Sequence, residues 1–336
     1  MKKTKQQSQK NITAKDVANM AGVSKWTVSR AFTKDSSISE SSLKKVLAAA
    51  EELGYKPNLL ARSLAKNKTN MIAILISELG SPNVLRVFDE LSSQLQSHGL
   101  ISIVLNVHLA KDYKNSLSLA GQLQVDGVIF LGTEVPQEII DKNIEHIPLL
   151  SLYRHCTTEK VHSVSTDGFS AGRHVGNLFI KLGYRRIAYM AGPEKKSTGL
   201  MRLEGLTDIL NENNIPLEKL FRIKHFTRIL AFNIMSQYLR ETDPHNLIDA
   251  IFCETDIFAI GVIDALRHHN LEGSIAVVGF DDIDLASSPS YNLTTYRQDL
   301  KPIVSTAVKL ISSSEINNNR ILIPGQLILR KSHLKG

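Results

Sequence analysis

The chain has 336 residues, 43% of them hydrophobic, and a formal net charge of +7. That length predicts two or three domains with a sizeable core, and no uninterrupted apolar run reaches the roughly 18 residues of a membrane span. The charge is uneven: residues 1–68 hold fourteen Lys and Arg against five acids, a net +9, while the remainder holds 26 against 28. A basic head on a near-neutral body is the footprint of a head that meets a polyanion. Met1 to Lys10 is polar and basic with no apolar stretch after it, so no secretory signal is read and a cytoplasmic location is expected. Cys156 and Cys253 match no metal-ligand spacing and fit a reducing compartment as small buried hydrophobes.

In chain order, Thr13-Ala14-Lys15-Asp16 reads as a helix start, with a hydroxyl at the cap and an acid three residues on. Ile12, Val17, Ala18 and Met20 would supply its apolar side. Gly22 interrupts, and Ser24 can cap a second helix from Lys25 to Phe32. Two helices joined so tightly predict a helix-turn-helix. Val28 and Phe32, one turn apart, would face inward with Val23, leaving Lys25, Trp26, Ser29 and Arg30 outside. A third helix is expected from about Ser41 to Leu53, with Leu43, Val46, Leu47 and Ala50 on one stripe and Gly54 at its end.

The second helix is thin enough for the major groove of double-stranded DNA. Lys25 and Arg30 can donate to guanine or to phosphate, and Thr27, Ser29 and free backbone amides suit phosphate oxygens. Trp26, the one tryptophan, reads either as a core anchor or as an outward contact to base or sugar. Pro57 ends the third helix's run. Asn58 can then cap a short helix from Leu59 to Leu64 or Ala65, too short to be stable alone. Leu60 and Leu64 share one face, and Arg62 and Lys66 are basic.

Beyond residue 70, apolar runs at Met71–Ile76, Ile101–Leu105, Gly127–Leu131, Leu149–Leu152, Ile187–Ala191, Ala250–Cys253 and Ile275–Phe280 read as buried parallel strands. Helical patterns such as Val84–His98, Ala171–Lys181 and Phe258–His268 lie between them. The alternation predicts an α/β body of two doubly wound lobes, with a ligand outside the carboxyl ends of the strands. Catalytic signatures are missing: no Gly-rich dinucleotide loop after a strand, no phosphate loop, no zinc-protease pair and no nucleophile elbow. His245, His268 and His269 have no partners at metal-ligand spacing, so neither an enzyme nor a cofactor or metal is expected.

The stretch Thr13-Ala14-Lys15-Asp16-Val17-Ala18, with Ala21-Gly22-Val23-Ser24 and Thr27-Val28-Ser29-Arg30, resembles the headpiece of LacI/GalR-type transcriptional regulators. So do Leu53-Gly54-Tyr55-Lys56-Pro57-Asn58 and Ala61-Arg62-Ser63-Leu64. In the body the likeness continues through Gly192-Pro193, Arg202 and Gly205, then Ala250 to Asp256 with Ala259 and Gly261. It ends on Val278-Gly279-Phe280-Asp281-Asp282-Ile283, Leu293-Thr294-Thr295 and Arg297-Gln298.

The resemblance implies a repressor with an N-terminal all-α helix-turn-helix headpiece and a periplasmic-binding-protein-like body, crossed by the chain near Thr166, Thr295 and Gly325. The expected division is 1–56 headpiece, 57–70 hinge helix and linker, and 71–336 effector-binding and dimerisation domain. Its N-lobe would take about 71–165 and 298–325, and its C-lobe about 166–297 and 326–336. The implied DNA contacts are Thr13, Ser24, Lys25, Trp26, Thr27, Ser29 and Arg30, joined by Asn58, Arg62 and Leu64 of the hinge. Leu64 would wedge into a central base step beside its dimer mate; the other reading makes it a core residue of a plain linker. The implied partners are operator DNA, a small-molecule effector of carbohydrate type and a second copy of the chain.

In the implied effector site, Asp256 either accepts two sugar hydroxyls or caps its helix. Arg202 offers bidentate donors or forms a surface ion pair, with Lys196 and Thr198 in the same loop, and Phe226 stacks on a sugar face or packs in the core. Tyr153 stands where the family usually has Asp, and Pro82-Asn83-Val84 where it has Pro-Phe-Phe. Tyr153 with Arg154, Lys196 and Arg202 would suit an anionic ligand such as a sugar phosphate. Rival readings are a sugar-binding uptake protein, which the basic head opposes, and a nucleotide-dependent enzyme fused to a DNA-binding domain, which the missing phosphate loops oppose.

Overall fold

Short capped helices build the first of two units, residues 1–69. The computed structural model describes residues 12–33, 36–56, 68–77, 79–107, 110–132, 147–154, 161–193, 200–313 and 320–336. Helix α1 spans Ala14–Ala21, α2 Lys25–Ala31 and α3 Glu40–Leu53. The Asp16 carboxylate accepts from the Thr13 backbone N–H at 2.8 Å and from its hydroxyl at 2.7 Å. Gly22 ends α1 in the left-handed region, φ +66°, and the Val23 N–H turns back to the Ala18 carbonyl; a side chain there would strain the turn.

Val17, Ala18, Val28, Val46, Ala49 and Ala50 form the headpiece core, with Phe32 and Tyr55 packed ring to ring at 5.8 Å. Two details depart from the expected stripes. Ile12 and Met20 are exposed, and on α3 Leu47 faces out while Ala49 faces in. The buried face runs Val46, Ala49, Ala50, Leu53, the i, i+3, i+4, i+7 series, and Leu47 lies about 100° off it.

The second unit, residues 70–336, carries two six-stranded sheets. In chain order its first strands and helices are β1 Met71–Ile76, α4 Pro82–Ser97, β2 Ile101–Asn106, α5 Ala110–Gln122, β3 Gly127–Leu131, β4 Leu149–Leu152 and β5 His162–Thr166. Next come α6 Gly168–Lys181, β6 Ile187–Ala191, α7 Arg202–Glu212, β7 Leu217–Arg222, α8 Arg228–Glu241, β8 Ala250–Cys253 and α9 Asp256–His268. The last are β9 Ala276–Phe280, β10 Thr294–Arg297, α10 Leu300–Ser312, β11 Arg320–Ile323 and β12 Gln326–Ile328.

One sheet runs β11-β5-β4-β3-β1-β2 and the other β12-β10-β9-β8-β6-β7. Every pairing is parallel except β10 with β12. Parallel strands need helical crossovers on both faces, which is why β1, β3, β6, β8 and β9 read as continuous apolar runs. The chain passes between the sheets after β5, after β10 and between β11 and β12. At the first two passages the Thr166 hydroxyl donates to the Gln298 side-chain oxygen at 2.6 Å.

The seven strands read from apolar runs are present, five with the bounds as read; β2 runs one residue further, to Asn106, and Ile275 is left just outside β9. Strand β5, His162-Ser163-Val164-Ser165-Thr166, escaped that reading because its polar residues are buried by neighbouring strands on both sides. Helix α10 was not named from the sequence, although Ile303, Val304, Ala307, Val308 and Ile311 repeat at helical spacing and are all buried.

Candidate functional site

In the headpiece, the Ser24 hydroxyl accepts the Thr27 N–H at 3.2 Å and meets the Thr27 hydroxyl at 3.0 Å, fixing the first turn of α2. Val28 is buried, while Trp26 and Arg30 leave the far side of the helix and Lys25 and Ser29 its flanks, all four exposed. Trp26 is 77% exposed, which removes it from the core. A large amphipathic ring held in water on a basic helix is apolar surface available to a partner. Thr13 sits at the α1 cap and is exposed. Asn58, Arg62 and Leu64 lie outside the described residues.

In the body, a cavity of about 380 Å³ opens at the carboxyl ends of strands from both sheets. From the first lobe it takes Ser81, Pro82, Asn83 and Val84 at the start of α4, Gly132 after β3, and Tyr153 and Arg154 after β4. From the second it takes Arg202, Phe226, Thr255, Ile257, Asp281 and Ile283. Gln298, on the chain passage after β10, completes the wall.

Arg202 opens α7 and is buried. Its guanidinium carbon stands 3.3 Å from the centre of the Phe280 ring, and one terminal nitrogen donates to the Glu254 carbonyl. Its Nε is buried without a hydrogen-bond partner among the described residues. Because Arg202 is buried, the surface ion-pair reading does not hold. Phe226 combines its two readings: one face stacks on Phe258 at 5.3 Å with planes 3° apart, and the ring also lines the cavity. Tyr153 adopts φ +66° and lines the cavity, and burial raises its phenol far enough to keep it neutral. Arg154 Nε donates to the Gly132 carbonyl at 2.9 Å. Lys196 and Thr198 lie outside the described residues.

Asp256 is not brought to the cavity wall. The cap of α9 is Thr255, whose hydroxyl accepts the Phe258 N–H, and Asp256 is the first residue inside the helix. Its carboxylate is fully buried, accepting the Thr295 hydroxyl at 2.6 Å and the Ile283 N–H at 2.9 Å. The cavity carboxylate is Asp281, which the sequence reading used as a family signature but did not assign to the site. It is the first residue after β9, a position that strand-end reasoning could have found. Its Oδ1 accepts from the Gln298 side-chain amide at 2.8 Å and the Asn83 side-chain amide at 2.9 Å.

Burial pushes the Asp281 carboxyl up to about 7 and the Asp256 carboxyl up to about 6; the Asp256 charge adds to the first and the Asp282 charge to the second. Because the folded protein holds these protons more tightly than the unfolded chain, their contribution favours folding at low pH. It is lost as pH rises from about 4 toward about 7. Asp281→Asn keeps an acceptor for both amides and removes the ionisation. Melting curves at pH 5, 6, 7 and 8 are expected to show the variant gaining on the wild type as pH rises. Parallel curves would refute the raised carboxyl.

Comparison with known proteins agrees with this geometry. The sequence pattern of "Bacterial regulatory proteins, lacI family" matches residues 13–58, and that of "Periplasmic binding protein-like domain" matches residues 177–333. The "HTH-type transcriptional repressor PurR" of Photobacterium profundum is 30% identical over 335 residues, covering 95% of this chain and 98% of its own length. That of Photorhabdus laumondii subsp. laumondii is 28% identical, covering 96% and 97%. A crystal structure of the lac repressor dimer bound to operator and the anti-inducer ONPF superposes with a TM-score of 0.85 at 27% identity, covering 97% of this chain and 100% of that one. Headpiece, two-lobed body and full-length likeness converge: the chain belongs to the lacI family of bacterial regulatory proteins.

Proposed function

We propose that this protein is a transcriptional repressor whose grip on operator DNA is set by a small hydroxyl-rich ligand bound between the two lobes. One observation carries the ligand reading: a buried arginine, Arg202, and a buried carboxyl, Asp281, line the same cavity. A neutral carbohydrate offers both an oxygen acceptor and hydroxyl donors, and Phe226 gives its apolar face a flat surface. A phosphorylated sugar fits less well, because its charge would oppose ionisation of Asp281 and one Arg202 nitrogen already serves the Glu254 carbonyl.

On the DNA side, Lys25, Trp26, Ser29 and Arg30 read base edges and backbone in the major groove, with Thr13, Ser24 and Thr27 held near phosphates. Asn58, Arg62 and Leu64 act at the hinge. Two copies pair through the body so that two heads meet two half-sites, as the operator-bound lac repressor is a dimer. In this reading the protein works in the cytoplasm as a DNA-binding regulator rather than as an enzyme.

The test is a two-stage binding measurement on the full chain. Operator fragments are first selected from sheared genomic DNA and titrated with salt; log affinity should fall steeply and linearly with log salt. Calorimetry with paired neutral and phosphorylated sugars then addresses the cavity. Heat from neutral sugars that vanishes in Arg202→Ala is expected. Absence of selected DNA rejects the repressor, and preference for the phosphorylated member rejects the ligand class alone.

A further inference from the structure

The first two turns of α4 reach across the cleft to the loop after β9. Arg86 donates through one terminal nitrogen to the Asp282 carbonyl at 2.9 Å and through the other to the Asp281 carbonyl at 2.9 Å. Asn83, one turn before it, donates to Asp281 Oδ1 at 2.9 Å. The receiving loop is strained: Asp281 has φ +119° and Asp282 φ +52°, both outside the usual range of residues with a side chain. That strain is held from behind. The Asp282 carboxylate is taken by Arg330 at 2.7 Å and Arg297 at 2.6 Å, and the Ile283 N–H is taken by Asp256.

We propose that Arg86 and Asn83 form a latch that holds the two lobes closed across the cavity before any effector is bound. The proposal rests on the reading of the cleft as the effector site, and adds how that site is kept shut. The guanidinium grips two consecutive carbonyls, a fork that matches its own geometry. Its hydrogen bonds end on carbonyl and amide oxygens rather than on a carboxylate, and its Nε is buried without a partner among the described residues. Such a grip closes the lobes without the depth of a buried ion pair, and it lets go at modest cost. Asn83 ties the same helix to the carboxyl that the cavity presents to a ligand, so a ligand donor at Asp281 and the latch bear on one group.

Hydrogen exchange on the full-length protein, with no ligand added, tests this. In Arg86→Ala the amides of residues 281–283 and of residues 83–88 should exchange at least about tenfold faster than in the wild type. Strand Ile187–Ala191, remote from the latch in the second sheet, should be unchanged. Asn83→Ala should give a smaller rise at both places. Arg86→Lys, whose single ammonium cannot span two carbonyls as a planar fork does, should fall between alanine and wild type. Equal exchange in all four proteins overturns the latch, and so does a uniform rise that includes Ile187–Ala191. If Arg86→Ala does not fold, the graded order of Asn83→Ala, Arg86→Lys and wild type decides. Wild-type binding to a mixed-sequence duplex at low salt is read alongside; its failure counts against the repressor and leaves the exchange result standing.

Discussion

Replacing Lys25 and Arg30 together by alanine is expected to weaken operator binding by about 2–6 kcal/mol, a loss on the order of thirtyfold to ten-thousandfold. The reasoning is geometric before it is electrostatic. Both side chains are exposed, Arg30 on the face of α2 away from Val28 and Lys25 at its first turn, and the headpiece core contains neither. Their removal therefore costs stability only at the level of an ordinary surface change, within about 0.5 kcal/mol each. A quantitative mobility-shift titration beside a melting curve separates the two effects. Guanine contacts would make the loss specific to selected operators, and phosphate contacts would instead weaken all duplexes and lower the salt slope by about one per contact. Full operator affinity in the double variant would remove α2 from the groove.

Gly205→Val is expected to destabilise the second lobe by about 3 kcal/mol or more, lowering its melting temperature by roughly 6–12 °C. A Cβ on Gly205 would lie 1.9 Å from the Phe169 carbonyl oxygen, so α6 and α7 approach backbone to backbone here. Valine would force the helices apart and loosen Ala171, Val175 and Leu206, buried in the same core. It would also displace Arg202, which opens α7, so ligand affinity should fall with stability. A control comes from the same residue type in another helix. Gly121 lies in α5 with nothing within 4 Å of its would-be Cβ, and Gly121→Ala should stabilise by about 0.5–1 kcal/mol. Calorimetric melting of both variants decides; equal effects would mean that helix propensity, not close packing, governs both sites.

How much of the candidate site could be read in advance varied by residue. Arg202, Tyr153 and Phe226 were named from the family likeness, and all three line the cavity. Asp256 was named by the same route, and its oxygens are taken by Thr295 and Ile283. Asp281 stood in a recognised motif, but nothing local distinguishes its carboxyl from its neighbour's; the fold gives Asp282 to Arg297 and Arg330 and turns Asp281 to the cavity. Asn83 was noted as a departure from the family pattern, and its contact with Asp281 joins residues 198 positions apart. No periodicity reports that distance.

Sequence alone determined the helix-turn-helix, because caps, turn glycine and apolar spacing act over a few residues and each leaves a local mark. It also determined the alternating α/β body, because strands buried on both faces must be apolar throughout. Only tertiary structure decided which of two adjacent aspartates lines the cavity, which polar strand completes a sheet, and which helix bonds across to the second lobe. Those outcomes depend on burial and on partners from distant segments, and a side chain carries no record of either until the chain is folded.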